Sequence, residues 1–252
     1  GFLTSAVSCG IKNPAAERLD LALIYSEKPC SSAGTFTTNR VKAAPVKVSQ
    51  ANLRKGDLRA VIANSGNANA CTGVQGITDA NAMCDGVAKP LGLKRSEIGV
   101  CSTGVIGLPM PMVRIDPKFD DLVSKLGPKN GADVAAAIIT SDTHPKEVAI
   151  SFDWGDHRVR IGGCVKGAGM ISPSMATMLC FITTDANIGT EALRKAVLEC
   201  VEESFNRITI DGDMSTNDTV LVLANGASGA PAPRRNDARC KQFRQALKWV
   251  ML

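Results

Sequence analysis

Short apolar segments of five to eight residues, bounded by turn residues, recur through this chain and alternate with stretches of helical periodicity. Leu19 to Ser26, Leu58 to Asn64, Ile98 to Ser102, Met178 to Thr184 and Thr219 to Ala224 have the continuous apolar character of buried strands. Glu147 to Trp154 and His157 to Val165 predict a hairpin turning at Gly155 and Asp156. Thr78 to Leu91, Asn130 to Ile139 and Thr190 to Phe205 read as helices. The last of these sets Leu193, Val197, Leu198, Val201 and Phe205 on one face behind Thr190 as N-cap. Ile208 to Ile210 is expected to add a short strand. With no internal repeat or heptad, the pattern predicts a mixed α/β fold.

The Gly, Ala and Pro content of Gly226 to Arg235 marks a linker, and Asp237 to Leu252 has the spacing of one amphipathic helix. The 252 residues, 44% hydrophobic and 21% charged, are enough for a sizeable core. Apolar runs such as Val134 to Ile139 fall far short of the roughly 18 to 20 residues that span a bilayer, so no membrane segment is expected. The chain opens at Gly1 without a basic stretch and apolar core, so a targeting peptide is expected to have been removed or never included. A mild net charge of +5, dispersed, with 4% aromatic residues argues against nucleic acid as partner. Nine cysteines without a C-x-x-C pair, beside two histidines, read as mostly buried thiols in a reducing compartment and not as a metal site. The sequon at Asn217 has no role in such a compartment.

Several common catalytic solutions are absent: the chain has no G-x-x-x-x-G-K-[ST], H-E-x-x-H, G-x-S-x-G or strand-linked G-x-G-x-x-G. His144 beside Pro145 and His157 beside a turn read as surface histidines, which leaves a Ser-His-Asp arrangement unsupported. A threonine hydroxyl needs a base, and one base that requires no other side chain is the residue's own α-amino group. In "KGAGMISPSMATMLCFITTDA", residues 166 to 186, Ala176 offers little obstruction to attack on its carbonyl by Thr177. Gly167 and Gly169 permit backbone shapes closed to other residues. The segment is thus either a self-cleavage site between Ala176 and Thr177 or a turn entering a strand. In "CSTGVIG", residues 101 to 107, the Thr103 hydroxyl and Gly104 amide form either an oxyanion hole or a simple glycine turn. "NSGNANACTG", residues 64 to 73, is a binding loop or, the favoured reading, a turn bonded by its own side chains. Lys166 is placed to meet a carboxylate or to stand in solvent, and Thr140 to donate to a substrate or close its helix.

Together these segments resemble the ornithine acetyltransferase family of arginine biosynthesis, also called bifunctional glutamate N-acetyltransferase. The resemblance runs from Gly1 to about Gly229 through "GIKNPAAERLDLALIYSE", "GTFTTNRVKAAPV", "ANSGNANACTG", "CSTGVIG", "IITSDTHPK", "RIGGCVKGAGMISPSMATMLCFITTDA" and "FNRITIDGDMSTNDTVLVLANG", in the family's order. It implies a layered α/β sandwich that resembles, with a different topology, the N-terminal-nucleophile hydrolases. It also implies an acetyltransferase core over residues 1–229 that cuts itself between Ala176 and Thr177. Residues 230–252 would then be a linker and the start of a further C-terminal region. Thr177 becomes the nucleophile that takes acetyl from N2-acetylornithine and passes it to glutamate. Thr103 and Gly104 match the family's oxyanion hole, and Thr140, Lys166 and Thr177 match its substrate contacts. No cofactor or metal is implied; acetyl-CoA stays open as a second donor. The cleaved fragments are expected to self-associate as two alpha and two beta subunits. The compartment would be the cytoplasm in a bacterium, or the mitochondrial matrix or chloroplast in a eukaryote.

Three positions depart from the family pattern: Ser174 stands where asparagine is usual, and Ser141 and Met214 where threonine is common. Family members also continue beyond the position of Leu252 with further substrate contacts. The chain alone is therefore expected to have an incomplete pocket and a bare apolar face over Gln242 to Leu252. Two other functions stay in view, an N-terminal-nucleophile aminopeptidase or amidase, and an uncleaved inactive form that acts only through a partner.

Overall fold

The computed structural model describes residues 1–169, 178–234 and 237–252. Two sheets face each other. The first has four strands in the order β1 (Phe2–Val7), β2 (Leu21–Ser26), β4 (Ala60–Asn64), β5 (Ile98–Ser102). The second has five, in the order β3 (Ser31–Phe36), β9 (Thr219–Ala224), β8 (Leu179–Thr184), β7 (His157–Lys166), β6 (Lys146–Trp154). Each sheet holds one parallel pair, and a parallel pair needs a crossover. Helix α2 (Gly73–Leu91) connects β4 to β5, and α6 (Thr190–Glu203) connects β8 to β9. The remaining pairs are antiparallel.

The two-residue period of the strands assigns each side chain to a layer. Ile24, Val61, Leu179, Phe181 and Leu221 point between the sheets, where Val134 and Ile138 of α5 (Gly131–Ile138) complete the inner core. Leu23 and Ile62 point outward to Met83 and Val87 of α2 and to Leu122 of α4 (Phe119–Ser124). Ile182 and Val222 point the other way, to Leu193 and Val197 of α6 and to Phe243 and Leu247 of α7 (Ala238–Met251). The result is a layered α/β sandwich of helices, sheet, sheet, helices, as the family resemblance implies and in keeping with the mixed α/β pattern of the sequence. Every residue of β4, β5 and β9 is buried, which is why those strands read as unbroken apolar runs.

The elements that escaped the sequence are those whose buried faces are polar or small. Helix α1 (Ala44–Lys55) buries Ser49 and Asn52, which donate to the carbonyls of Val100 at 2.6 Å and Ile98 at 2.9 Å. No apolar stripe marks it. In β3 a Cβ at Gly34 would lie 2.7 Å from Leu221 Cδ2 and 2.8 Å from the Val220 carbonyl, so close pairing with β9 requires a small residue. Strand β1 was also not foreseen, and α3 (Met112–Ile115) is a single turn.

Other expectations are corrected. The N-cap of α6 is Gly189, and the Thr190 hydroxyl instead donates to both Asp57 carboxylate oxygens at 3.1 Å. Leu198 is 49% exposed, and Ala196 and Cys200 fill the buried face in its place. Ile208 to Ile210 forms no strand, and both isoleucines are exposed. Helix α7 does not stand bare: Phe243, Ala246, Leu247 and Met251 join the core cluster of α6, and of the large apolar side chains in α7 and the terminal Leu252 only Trp249 and Leu252 are exposed. Among the described residues no helix is long and apolar enough to cross a membrane.

Candidate active site

Loops that follow β1, β4, β5, α5 and β7, with the loop that leads into β9, line a cavity of about 710 Å³. Four of the residues singled out in the sequence line it together: Thr103, Gly104, Thr140 and Lys166. Ala176 and Thr177 lie outside the described residues, as does Ser174.

Thr103 is the first residue past β5, and its amide is tied to the Asn64 carbonyl at 3.0 Å at the end of the adjacent strand. Its hydroxyl oxygen accepts a hydrogen bond from Lys166 Nζ at 3.0 Å. An oxygen engaged as acceptor still has its own proton to donate. Gly104 follows at φ +134°, a conformation open to glycine, and its exposed amide donates to no acceptor recorded among the described residues. Two neighbouring donors at the mouth of a cavity are what a developing oxyanion needs.

Lys166 closes β7 and is 3% exposed. Burial lowers its pKa, while Asp142 and Asp218 pull it back up. Neither carboxylate forms an ion pair with it within 4 Å, so its ammonium is held by a neutral hydroxyl. A buried cation so placed favours an anionic group in the cavity.

Asp142 stitches the loop after α5 to the loop after β7. One oxygen accepts from Lys146 Nζ at 2.6 Å and from the Gly167 amide at 2.8 Å, and the other from the Thr140 amide at 3.3 Å. The two segments that carry Thr140 and Lys166 are thus fixed by one carboxylate. Burial alone would raise Asp142, but Lys146 and the two amides outweigh it and hold the carboxyl below its ordinary value. Such a group stabilises the fold above its unfolded pKa near 3.9, and that stabilisation is lost as pH falls through the lower folded value. Asp142→Asn is expected to cost about 1–3 kcal/mol at neutral pH and little in strong acid. Urea unfolding of both proteins at the two pH values checks this, and an equal cost at both contradicts it.

Asn217, in the loop before β9, donates to the carbonyls of Ala68 at 2.7 Å and Ser102 at 2.8 Å and so joins the two sheets at the cavity wall. Asp218 follows it, fully buried, with Oδ1 accepting from the Met178 amide at 2.9 Å. The "NSGNANACTG" loop is the side-chain-bonded turn: Asn67 Oδ1 accepts from the Asn69 amide and Asn69 Nδ2 donates to the Gly76 carbonyl. Its Ser65, Gly66 and Ala68 also line the cavity.

Neither histidine reaches this cavity. His144 is exposed against the Thr143 hydroxyl, and His157 is half-buried at its turn. Six of the nine cysteines are buried, and burial pushes thiols such as Cys84 up to about 12. They are unsuited to nucleophilic work. Among the described residues no cluster of three or more His, Cys, Asp or Glu is arranged to hold a metal ion.

The ArgJ family model matches residues 3–252. The chain belongs to the ArgJ family. It is 48% identical over all 252 of its residues to the arginine biosynthesis bifunctional protein ArgJ of Symbiobacterium thermophilum, and spans 63% of that relative's length. Among solved structures it is similar to ornithine acetyltransferase from Mycobacterium tuberculosis complexed with ornithine. That match has 40% identity and a TM-score of 0.63, over 71% of this chain and 93% of the other. It is also similar to the arginine biosynthesis bifunctional protein ArgJ of Bacillus halodurans, at 37% identity and a TM-score of 0.64, over 71% of this chain and 91% of that one. For an ArgJ chain, the residues that sequence reasoning passed over are Asp142, Asn217 and Asp218. They act through backbone bonds to segments distant in sequence, a relation that no local motif encodes. The one available signal was the polar loop "DGDMSTND" set between apolar segments.

Proposed function

We propose that this chain carries the acetyl-transfer centre of an ArgJ protein of arginine biosynthesis. It cuts itself between Ala176 and Thr177, and Thr177 then moves acetyl from N2-acetylornithine to glutamate. The observation that carries this reading is the convergence, in one cavity without histidine, of the Thr103 hydroxyl, the Gly104 amide and the buried Lys166 ammonium. The two solved chains are more than 90% covered by only 71% of this one, although the curated relative is longer than it. A chain divided near the proposed cut would give a match of that length.

The cut frees the Thr177 α-amino group, whose ordinary pKa of about 7.7–8.0 suits it to take the hydroxyl proton near neutral pH. Thr177 Oγ attacks the acetyl carbonyl of N2-acetylornithine, Thr103 and Gly104 donate to the oxyanion, and ornithine leaves. The glutamate amine then attacks the acetyl-threonine ester and regenerates the hydroxyl. Lys166 meets the substrate carboxylate and Thr140 donates beside it. Residues 1–229 form the transfer core with 230–252 leading from it, and two copies of each fragment assemble in the cytoplasm.

The test is to mix the protein with N2-acetylornithine, withhold glutamate, quench in acid and weigh the fragments. The fragment that begins at Thr177 is expected to gain one acetyl group and lose it when glutamate is added. Acetyl found only on another fragment, or on none, contradicts the reading.

A further inference from the structure

The amine that would activate Thr177 does not exist until the bond before it is broken, so the cut itself requires a different proton acceptor. We propose that Asp218 is that acceptor, an inference that rests on the reading of Thr177 given above. Asp218 is 0% exposed, in the loop that enters β9. Its Oδ1 accepts from the Met178 amide at 2.9 Å, and only a few covalent bonds separate that nitrogen from the Thr177 hydroxyl. Its Oδ2 has no hydrogen-bond partner among the described residues. Buried carboxyl oxygens are normally satisfied, so an orphan at this position is a place where a proton can be received.

Two other carboxylates near the cavity are already committed. Asp20 accepts from the Cys9 and Ile11 amides at 2.6 Å each, and Asp142 is held by Lys146, Gly167 and Thr140. Lys166, at the end of β7, is the charged group that acts on Asp218, and Lys166 in turn feels Asp142 and Lys146. Burial raises the Asp218 carboxyl to about 8, against the opposing pull of the Met178 amide, the Ser215 hydroxyl and Lys166. Such a group takes and returns a proton near neutral pH, the condition for acid–base catalysis.

The step balances as follows. Ionised Asp218 takes the Thr177 hydroxyl proton as Oγ bonds to the Ala176 carbonyl carbon. Asp218 then gives that proton to the Thr177 nitrogen as the C–N bond breaks, which leaves an ester and a free amine. Water adds to the ester, the C–O bond breaks, Ala176 ends as a carboxylic acid, and Thr177 recovers its hydroxyl.

The experiment follows conversion of freshly translated chain into its two fragments from neutral to mildly alkaline pH. The ionised carboxyl is the acceptor, so the wild-type rate is expected to rise through an inflection near 8. Asp218→Asn keeps an oxygen for the Met178 amide but takes no proton. It is expected to cut about 10²–10⁴-fold more slowly and without the inflection. Asp218→Glu is expected to restore part of the rate with a displaced inflection, and it carries the test if the asparagine variant does not fold. An asparagine variant that keeps the inflection, at any rate, overturns the proposal, as does a glutamate variant whose inflection does not move. A wild-type chain that stays uncut, or a Thr177→Ala chain that is cut, overturns the reading of Thr177 itself.

Discussion

Thr177→Ala is expected to leave the chain in one piece and to abolish acetyl transfer. Both losses have one cause. In the proposed mechanism the same hydroxyl attacks first the Ala176 carbonyl and later the acetyl carbonyl, and alanine offers no nucleophile for either. Among the described residues neither histidine reaches the cavity to activate another hydroxyl, and the buried thiols are held in their protonated form. Thr177→Ser retains a hydroxyl and is expected to cut and to transfer, with altered rates. Gel separation of the variants, followed by an acetyl-glutamate assay, checks both statements. Transfer by an alanine variant at a rate near wild type contradicts them.

Gly104→Ala is expected to be the most damaging of the small substitutions at the cavity. A Cβ there would lie 2.3 Å from the Gly66 carbonyl carbon and 2.6 Å from the Asn67 amide nitrogen, both backbone atoms. The Asn67 segment has little freedom to retreat. The Asn67 carbonyl accepts from Asn64 Nδ2 at 2.9 Å, and its side chain donates to the carbonyls of Leu108 at 3.2 Å and Pro109 at 3.0 Å. The backbone is also at φ +134°. Strain of this kind costs on the order of 1–3 kcal/mol before the clash is added, so a total of about 3 kcal/mol or more is expected. If the turn shifts to relieve it, the amide leaves the proposed oxyanion position, and the proposed transfer is expected to fall by roughly 10²–10³. Gly107→Ala is the control. Gly107 also has a positive φ, of 84°, but a Cβ there meets nothing within 4 Å, so only a conformational cost of about 1–2 kcal/mol is expected. Urea midpoints for the two variants separate the cases, and equal losses contradict the steric argument.

The strands and helices that proved legible in the sequence are those whose buried faces are continuous in apolar residues, such as β9 and the Leu193–Val197 face of α6. Helix α1 was not legible because its core-facing residues include Ser49 and Asn52, which spend their polarity on carbonyls of the β5 region. Strand β3 was missed because its fit against β9 calls for Gly34 where a sequence reading looks for a β-branched residue. The Thr190 cap failed for a different reason: a distant carboxylate, Asp57, competes for the hydroxyl. At the candidate site, the sequence singles out "CSTGVIG" as a strand-end turn and Lys166 as a lysine followed by a small-residue loop, and the structure puts each at a strand end. The hydrogen bond between Thr103 and Lys166 joins residues 63 positions apart and belongs to the fold alone. Asp142 and Asp218 stayed hidden for the same reason, since their partners, Gly167 and Met178, lie 25 and 40 positions away.

The central claim is that one peptide bond in this chain becomes a nucleophile and a base. Intact-mass analysis of the purified protein tests it most directly. The account predicts two species, one ending at Ala176 and one beginning at Thr177, and acetyl transfer only when both are present. A single uncut species that transfers acetyl contradicts it.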